Sequence, residues 1–217
     1  MSTSSETATI IHTLYNARTN LLAQLESIGF DISEHKSFNI HQIDAMYNEK
    51  QLDFILEDTR TKSKVYVKHH IGVGAIRTPV LNKYIDELFG SGLDETDENA
   101  VLQPNDALIV LIETEPNDSL KETMSLLYGR NKIYASVINI ARLQYNILQH
   151  ELVPPVRPVR ETNDLLDELR IQSLKQLPEI SRFDPMAIAI LLRPGEVAHI
   201  TRKSPTAKMT DYWRVCV

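Results

Sequence analysis

Carboxylates placed near a lysine would give this chain nuclease chemistry, and the sequence offers only fragments of that pattern. Metal-assisted hydrolysis needs clustered carboxylates to hold the ion and a group that orients water. Lys68 is the last residue of a strand-like run, but Tyr66 occupies the position where a Glu-x-Lys motif has its carboxylate. Glu113 and Glu115 lie close together, but the motif's lysine is missing there. We therefore predict no catalytic residue and no metal or other cofactor.

Histidine, cysteine and glycine patterns lead to the same expectation. His69 and His70 are adjacent, and neighbouring strand residues point to opposite faces, so they cannot share a metal ion. We expect this pair at the surface or in a loop. Cys216 is the one cysteine, which excludes an internal disulfide and favours a packed small side chain in a reducing compartment. The segment 72–74, Gly-Val-Gly, lacks the lysine and the strand–loop–helix context of a phosphate loop.

The C-terminal stretch carries a group of cations that could bind a partner. Its five basic residues outnumber its two acidic ones, for a local charge of +3; the five are Arg193, Arg202, Lys203, Lys208 and Arg214. Tyr212 and Trp213 precede Arg214, and these three residue types dominate interface hot spots. The planar guanidinium suits carboxylates. The stretch is either a solvated strand face or a surface for an acidic protein partner, with one of the two aromatic rings facing the core.

Charge is distributed unevenly along the 217 residues, whose net charge is −6. The first 149 residues carry thirteen Lys or Arg and twenty Asp or Glu, whereas the rest carry ten and nine. A protein that grips DNA by itself usually shows a basic face. Any DNA contact is therefore expected inside a larger complex. We expect no membrane partner, because no apolar run approaches ~20 residues, and no secretory signal at the N-terminus.

The first 149 residues have the pattern of helices packed on a sheet. Apolar residues recur at helical spacing from Glu6 to Ile28. Further helices are predicted at 40–47, 79–89 and 119–128, and strands at 52–57, 64–68, 107–112 and 132–138. The continuous apolar run 107–112 is typical of a strand buried on both faces. The strand–helix–strand order after it favours a right-handed βαβ unit, and the acidic stretch 90–105 is expected to be an exposed loop.

The remaining residues predict a smaller helix–turn–strand–strand unit. Thr162 is expected to cap one helix, and Ser173 with Gln176 suggests a capping box. Asp184 is a good N-cap with a proline at the first helical position, which predicts a helix over 186–192. Pro194-Gly195 predicts a turn with glycine at positive φ. Strands are predicted at 197–201 and 212–217.

Five short motifs occur in order in this second region. They are His-Glu-Leu-Val-Pro at 150–154, Gln-Leu-Pro-Glu-Ile at 176–180, Asp-Pro-Met-Ala at 184–187, Arg-Pro-Gly-Glu-Val at 193–197 and Arg-Lys-Ser-Pro-Thr at 202–206. The set resembles the C-terminal assembly domain of the fifth-largest subunit of eukaryotic RNA polymerase II. Polymerases I and III share that subunit, and archaeal RNA polymerase has a counterpart of it. The resemblance is confined largely to residues 150–217.

The resemblance implies a mixed α+β protein with two domains. Residues 1–149 would form a jaw domain, an α/β unit with a central sheet flanked by helices, and residues 150–217 a small α+β assembly domain. The implied function is that of a non-catalytic subunit of a multisubunit DNA-directed RNA polymerase. Its partners would be the largest subunit, other polymerase subunits and downstream double-stranded DNA. The alternative is a free-standing nuclease-like or nucleic-acid-binding protein.

Site residues and location follow from the same resemblance. Contact with the largest subunit is expected from His150, Glu151, Asp184, Arg193, Gly195, Arg202, Lys203, Ser204, Tyr212 and Arg214. The family's DNA-facing loop has the form Thr-Pro-Ser-Ala, where this chain has Asn-Ile-Ala-Arg at 139–142. By this resemblance Arg142 would be the DNA-proximal residue of that segment; the alternative is that it caps or pairs within the jaw domain. The implied location is the nucleus or, for a virally encoded subunit, the virion or host cytoplasm.

Overall fold

A computed structural model of the chain describes residues 2–90, 100–160 and 162–217. These residues form two compact units, Met1–Tyr145 and Asn146–Val217, called unit 1 and unit 2 below. In the described part of the chain, no helix is both long enough and apolar enough to span a membrane. Part of the acidic stretch expected as a loop, residues 91–99, lies outside the described residues.

Unit 1 is a four-stranded sheet with helices. In chain order its elements are α1 (Ser2–Ser27), α2 (Ile40–Asn48), β1 (Phe54–Glu57), β2 (Lys64–His70), α3 (Thr78–Phe89), β3 (Ala107–Ile112), α4 (Asp118–Asn131), β4 (Tyr134–Asn139) and a 3-10 turn (Ile140–Leu143). The sheet order is β1-β2-β3-β4. β1 is antiparallel to β2, while β2, β3 and β4 run parallel. This arrangement confirms the predicted fold class and the parallel strand–helix–strand unit.

The sheet of unit 1 is held by strands that are buried on both faces. All six residues of β3 and all six of β4 are buried, as the apolar run 107–112 predicts. Helix ends follow ordinary capping chemistry: the Asn39 side chain accepts the backbone N–H of Gln42 at the start of α2, and Gln42 bonds back to Asn39. Asn117 caps α4 in the same way by accepting from the N–H of Leu120.

The expectation of a surface or loop role for His69 and His70 is wrong. Both residues lie on β2. The side chain of His69 is 5% exposed, and the whole residue His70 is also 5% exposed. His69 packs 6.0 Å from the Phe54 ring, and a hydrogen bond of 2.8 Å joins His70 Nδ1 to the Tyr84 hydroxyl of α3. The two rings do point to opposite faces of the strand, but both faces are covered.

Unit 2 is a second, smaller sheet with short helices. Its elements are a 3-10 turn (Ile147–Gln149), β5 (Val156–Val159), α5 (Asn163–Leu169), a 3-10 turn (Leu174–Gln176), β6 (Glu179–Ile180), α6 (Pro185–Ala189), β7 (Val197–Ser204) and β8 (Lys208–Cys216). The strand order is β5-β7-β8-β6. β7 and β8 form an antiparallel hairpin, and β6 runs parallel to the end of β8.

Local details of unit 2 differ from the sequence predictions at helix ends. The helix expected over 186–192 covers only Pro185–Ala189, because Leu191 adopts a φ of 50° that no α-helix continues. Thr162 occupies the N-cap of α5, but its side chain makes no capping hydrogen bond. Ser173 accepts from the N–H of Lys175, whereas Gln176 accepts from Gln172 and not from Ser173. The predicted capping box is therefore incomplete.

Candidate functional site

The hairpin of β7 and β8 sorts the predicted partner-binding residues onto two faces. Directly paired residues of an antiparallel ladder share a face, and faces alternate along each strand. The register pairs Ala198 with Arg214, Ile200 with Tyr212 and Arg202 with Thr210. Arg202, Ser204, Tyr212 and Arg214 therefore lie on one face, called the basic face below. Lys203, which pairs with Met209, lies on the opposite face.

The two arginines of the basic face have aromatic and backbone contacts but no acidic partner. The guanidinium of Arg202 lies 4.5 Å from the centroid of the Tyr212 ring, and Tyr212 is 39% exposed. Arg214 Nη1 donates to the backbone oxygen of Glu179 at 3.2 Å. Within the described part of the chain, no carboxylate forms an ion pair with Arg202 or Arg214. Their positive charge is thus available to a carboxylate from outside the chain.

The turn before β7 has the predicted geometry. Gly195 has a φ of 92°, and the N–H of Glu196 donates to Arg193 O at 2.9 Å, which closes a type II turn. The Gly195 N–H donates to Cys216 O, and the Cys216 N–H donates to Glu196 O. A Cβ atom added at position 195 would have no neighbouring group within 4 Å. The turn therefore requires glycine for its backbone conformation and not for space.

Glu196 is a member of this turn that the sequence analysis missed. Its Oε2 accepts the backbone N–H of Arg193 at 2.9 Å, and its Oε1 lies 3.7 Å from Arg160 Nε. Burial raises the pKa of Glu196, although the hydrogen bond and the nearby arginines oppose that shift. The signal in the sequence was the spacing: Glu196 follows Arg193 by three residues, which lets a side chain accept the earlier backbone N–H.

Three other predicted residues lie away from the hairpin in the chain. Asp184 Oδ1 accepts the N–H of Met186 at 2.8 Å, so this carboxylate caps α6 as expected. His150 and Glu151 are exposed residues near the start of unit 2, and His150 Nδ1 accepts the N–H of Leu152 at 3.2 Å. The structure gives Asp184 a local structural role. A role in partner binding for these three residues stays a prediction.

The opposite face of the hairpin carries a polar network that the sequence did not suggest. His199 is 7% exposed, and its ring stacks 4.1 Å from that of Trp213. Arg157 Nε donates to His199 Nδ1 at 2.9 Å, so the proton of a neutral ring is on Nε2, which lies 2.7 Å from Asp211 Oδ1. The hydrogen bond from His199 lowers the pKa of Asp211. This network explains why Trp213 is half-buried while Tyr212 faces outward.

Arg142, the predicted DNA-proximal residue, is paired within unit 1. Its Nη2 and Nε donate to Glu115 Oε2 and Oε1 at 2.7 and 3.0 Å, and both side chains are about half exposed. Asn139 Nδ2 also donates to Glu115 Oε1, at 3.2 Å. Glu115 thus connects the segment after β3 to the 3-10 turn after β4. A phosphate that reached Arg142 would compete with this carboxylate.

Lys68, the lysine considered for nuclease chemistry, forms a charge pair with Asp53 instead. Lys68 Nζ lies 2.7 Å from Asp53 Oδ2, and the N–H of His69 donates to Asp53 Oδ1 at 2.7 Å. Burial opposes the shift, but the bonds from His69 and Lys68 together lower the pKa of Asp53. Among the residues that the structure describes, no group of three or more His, Cys, Asp or Glu could hold a metal ion.

Comparison with known proteins identifies unit 2. Residues 145–216 match the family described as RNA polymerase Rpb5, C-terminal domain. The DNA-directed RNA polymerase subunit Rpo5 of Thermococcus onnurineus is 42% identical over 79 residues, which are 36% of this chain and 95% of that protein. Rpo5 of Staphylothermus marinus is 50% identical over 80 residues, 36% of this chain and 87% of that protein. Rpo5 of Methanococcus maripaludis is 37% identical over 73 residues, which are 33% of this chain and 92% of that protein.

These relatives also correct the expected location. They are subunits from archaea, whose cells have no nucleus, so the nuclear location inferred from the eukaryotic resemblance is wrong. The resemblance itself is confirmed, because the matched residues include all five motifs and the three relatives are covered over 87–95% of their length. The chain belongs to the Rpb5/Rpo5 family of DNA-directed RNA polymerase subunits.

Proposed function

We propose that this chain is a non-catalytic subunit of a multisubunit DNA-directed RNA polymerase, which docks onto the largest subunit through unit 2. The observation that carries the proposal is the basic face of the hairpin. Arg202 and Arg214 lie there beside an exposed tyrosine, without an acidic partner in the described chain. Arginine and tyrosine are the residue types that supply interface hot spots, and an unpaired guanidinium fits an acidic partner surface.

The proposed division of labour follows the two units. Residues 150–217 act as the assembly domain, and residues 1–149 act as a jaw domain beside downstream double-stranded DNA. Catalysis would belong to other subunits. Charge gives the jaw role less support, since the first 149 residues carry a net −7 and Arg142 is paired with Glu115. The free-standing nuclease-like alternative gains no support from the Lys68–Asp53 pair, whose two groups neutralise each other.

Arg202 and Lys203 provide a matched test of docking. Arg202→Glu and Lys203→Glu change the net charge equally at adjacent positions, but the two side chains lie on opposite faces of β7. We expect Arg202→Glu to weaken binding of the largest subunit by about tenfold or more, since placing a like charge against an acidic surface costs a few kcal/mol. We expect Lys203→Glu to have an effect of about twofold or less.

Titration of the full chain against the purified largest subunit measures both affinities. Equal losses would show that only net charge matters and would contradict docking through the basic face. A fragment of residues 150–217 should also recover the largest subunit from a mixture of polymerase subunits, since the archaeal relatives consist almost entirely of the matched region. Recovery by residues 1–149 alone would overturn the assignment of assembly to unit 2.

A further inference from the structure

Arg18 is a buried cation in unit 1 that lies outside the proposed docking surface. It lies on the apolar stripe of α1, between Leu14 and Leu21, and is only 4% exposed. Its guanidinium lies 4.2 Å from the centroid of the Phe54 ring and 5.2 Å from that of Phe38. Burial lowers the pKa of Arg18 to about 10, which leaves the group charged at neutral pH.

The hydrogen bonds of Arg18 are incomplete. Nη1 donates to the backbone oxygen of Leu52 at 3.2 Å, and Nη2 contacts His35 Nδ1 at 3.3 Å. Nε is buried without a hydrogen-bond partner. Within the described residues, no carboxylate forms an ion pair with this guanidinium. A buried charge is costly unless it is paired. Two hydrogen bonds and two aromatic rings offset part of that cost here, but no carboxylate of the described residues does.

A pocket of about 160 Å³ opens beside this cation. Arg18, Thr19, His35 and Lys36 supply its polar lining, together with Glu26, whose carboxylate is engaged by Lys36 at 3.2 Å. Apolar side chains form the rest of the wall, namely Leu22, Ala23, Ile32, Phe38 and Ile43, with Tyr15. An apolar cavity of about 150 Å³ can hold a molecule the size of benzene. The pocket therefore has room for a carboxylate and a few methylene groups.

We propose that this pocket binds a carboxylate on a short aliphatic stem, with Arg18 as its anchor, and that the group is an Asp or Glu side chain of a neighbouring polymerase subunit. The partner's identity rests on the proposed function. Charge complementarity supports the carboxylate, because a guanidinium can donate to both of its oxygens. The apolar wall supports the stem, since inorganic phosphate would have no apolar atoms to bury there.

Glutarate is a suitable probe of the pocket in the full chain. We expect the Arg18 Nε–Hε resonance to shift saturably as glutarate is added, and we expect no shift with uncharged glutaramide or with phosphate at equal ionic strength. Arg18→Met should weaken glutarate binding by about tenfold or more, as removal of a charge-assisted hydrogen bond predicts. Lys36→Met removes a rim cation and should change it by about twofold or less. A wild-type chain that ignores glutarate, or responds equally to phosphate, would overturn the carboxylate pocket whatever the variants do.

Competitive assembly tests the occupant. Equal amounts of wild-type and Arg18→Met chains are offered to the remaining polymerase subunits, and the ratio incorporated is measured by mass spectrometry. We expect wild type to be enriched about tenfold, with Lys36→Met incorporated almost equally. Glutarate binding combined with equal incorporation would overturn the partner side chain as occupant and leave a site for a free acid. Failure of the wild-type chain itself to assemble would contradict the proposed function and not the pocket.

Discussion

Apart from the buried Arg18, the cations considered for a function in unit 1 have acidic partners, whereas the two arginines of the basic face in unit 2 do not. In unit 1, Arg142 is held by Glu115 and Lys68 by Asp53, both at 2.7 Å, so these charges are neutralised within the unit. In unit 2, Arg202 and Arg214 point from a hairpin with no acidic partner in the described chain. The lesson is that the number of cations in a segment predicts little about binding. What matters is whether the fold already supplies each cation with a carboxylate.

The largest expected effect of a single substitution on stability concerns Gly195. Gly195→Val should lower the free energy of unfolding of unit 2 by roughly 1–3 kcal/mol, because a β-branched residue is strained at a φ of 92°. Gly195→Asn should cost less, since asparagine tolerates positive φ. Trp213 is the only tryptophan and lies in unit 2, so its fluorescence in urea reports the change there. Equal costs for Val and Asn would contradict the backbone explanation.

Turns and helix starts in unit 2 could be predicted from the sequence alone. Pro194-Gly195 and Asp184-Pro185 predicted a turn and a helix start correctly, because capping and positive φ are local chemistry. The apolar run 107–112 was enough to place a fully buried strand. The end of α6 could not be predicted, since Leu191 adopts a positive φ in a C-terminal turn closed by the bond from the Leu192 N–H to Ala187 O, a position where glycine is the usual residue.

Candidate site residues were less predictable because their partners are distant in the chain. Glu115 and Arg142 are 27 residues apart, and nothing local indicates that they pair. Arg18 could have been noticed, since it lies four residues after Leu14 and three before Leu21 on an apolar helical stripe. The His199–Asp211 bond becomes predictable only when the hairpin register is known, because Asp211 is opposite Thr201 and diagonal to His199.

Acid should weaken unit 1 through His69, whose side chain is buried, and His35, which is half-buried. Burial lowers the pKa of both His69 and His35 below the usual value of about 6.5. Below pH ~6.5 the unfolded chain therefore binds more protons than the folded chain, and the free energy of unfolding falls as pH decreases toward the native pKa values. Hydrogen exchange of β2 and β3 amides between pH 7 and 5, corrected for intrinsic rates, measures this loss.

His69→Gln should reduce that dependence on pH, and the same change at His41, an exposed residue of α2, serves as the matched control. The matched pair separates burial from the general effect of net charge at low pH. A slope that is identical in the wild type and in both variants would show that the His69 ring does not govern the acid response.

The smallest expected effect concerns Arg142 and decides whether unit 1 touches DNA. If Arg142 contacts a phosphate in the assembled polymerase, Arg142→Ala should reduce the salt slope of downstream-DNA binding by about 0.9, the value for one contact. Glu115→Gln sharpens the test, because it removes the carboxylate that holds Arg142 at 2.7 Å and should strengthen DNA binding at low salt. The measurement is elongation-complex stability against salt concentration for the wild type and both variants.

The two variants together separate a structural arginine from a DNA-binding one. Parallel curves for Arg142→Ala and wild type, with no gain from Glu115→Gln, would mean that this arginine only connects two segments of unit 1. A shallower salt slope for Arg142→Ala, together with stronger binding for Glu115→Gln, would mean that Arg142 binds DNA in the assembled polymerase. A phosphate would then have to displace Glu115 before it could bind Arg142. Cations of both units would then bind a partner, but Arg142 of unit 1 would first have to leave Glu115, whereas Arg202 and Arg214 of unit 2 have no carboxylate to leave.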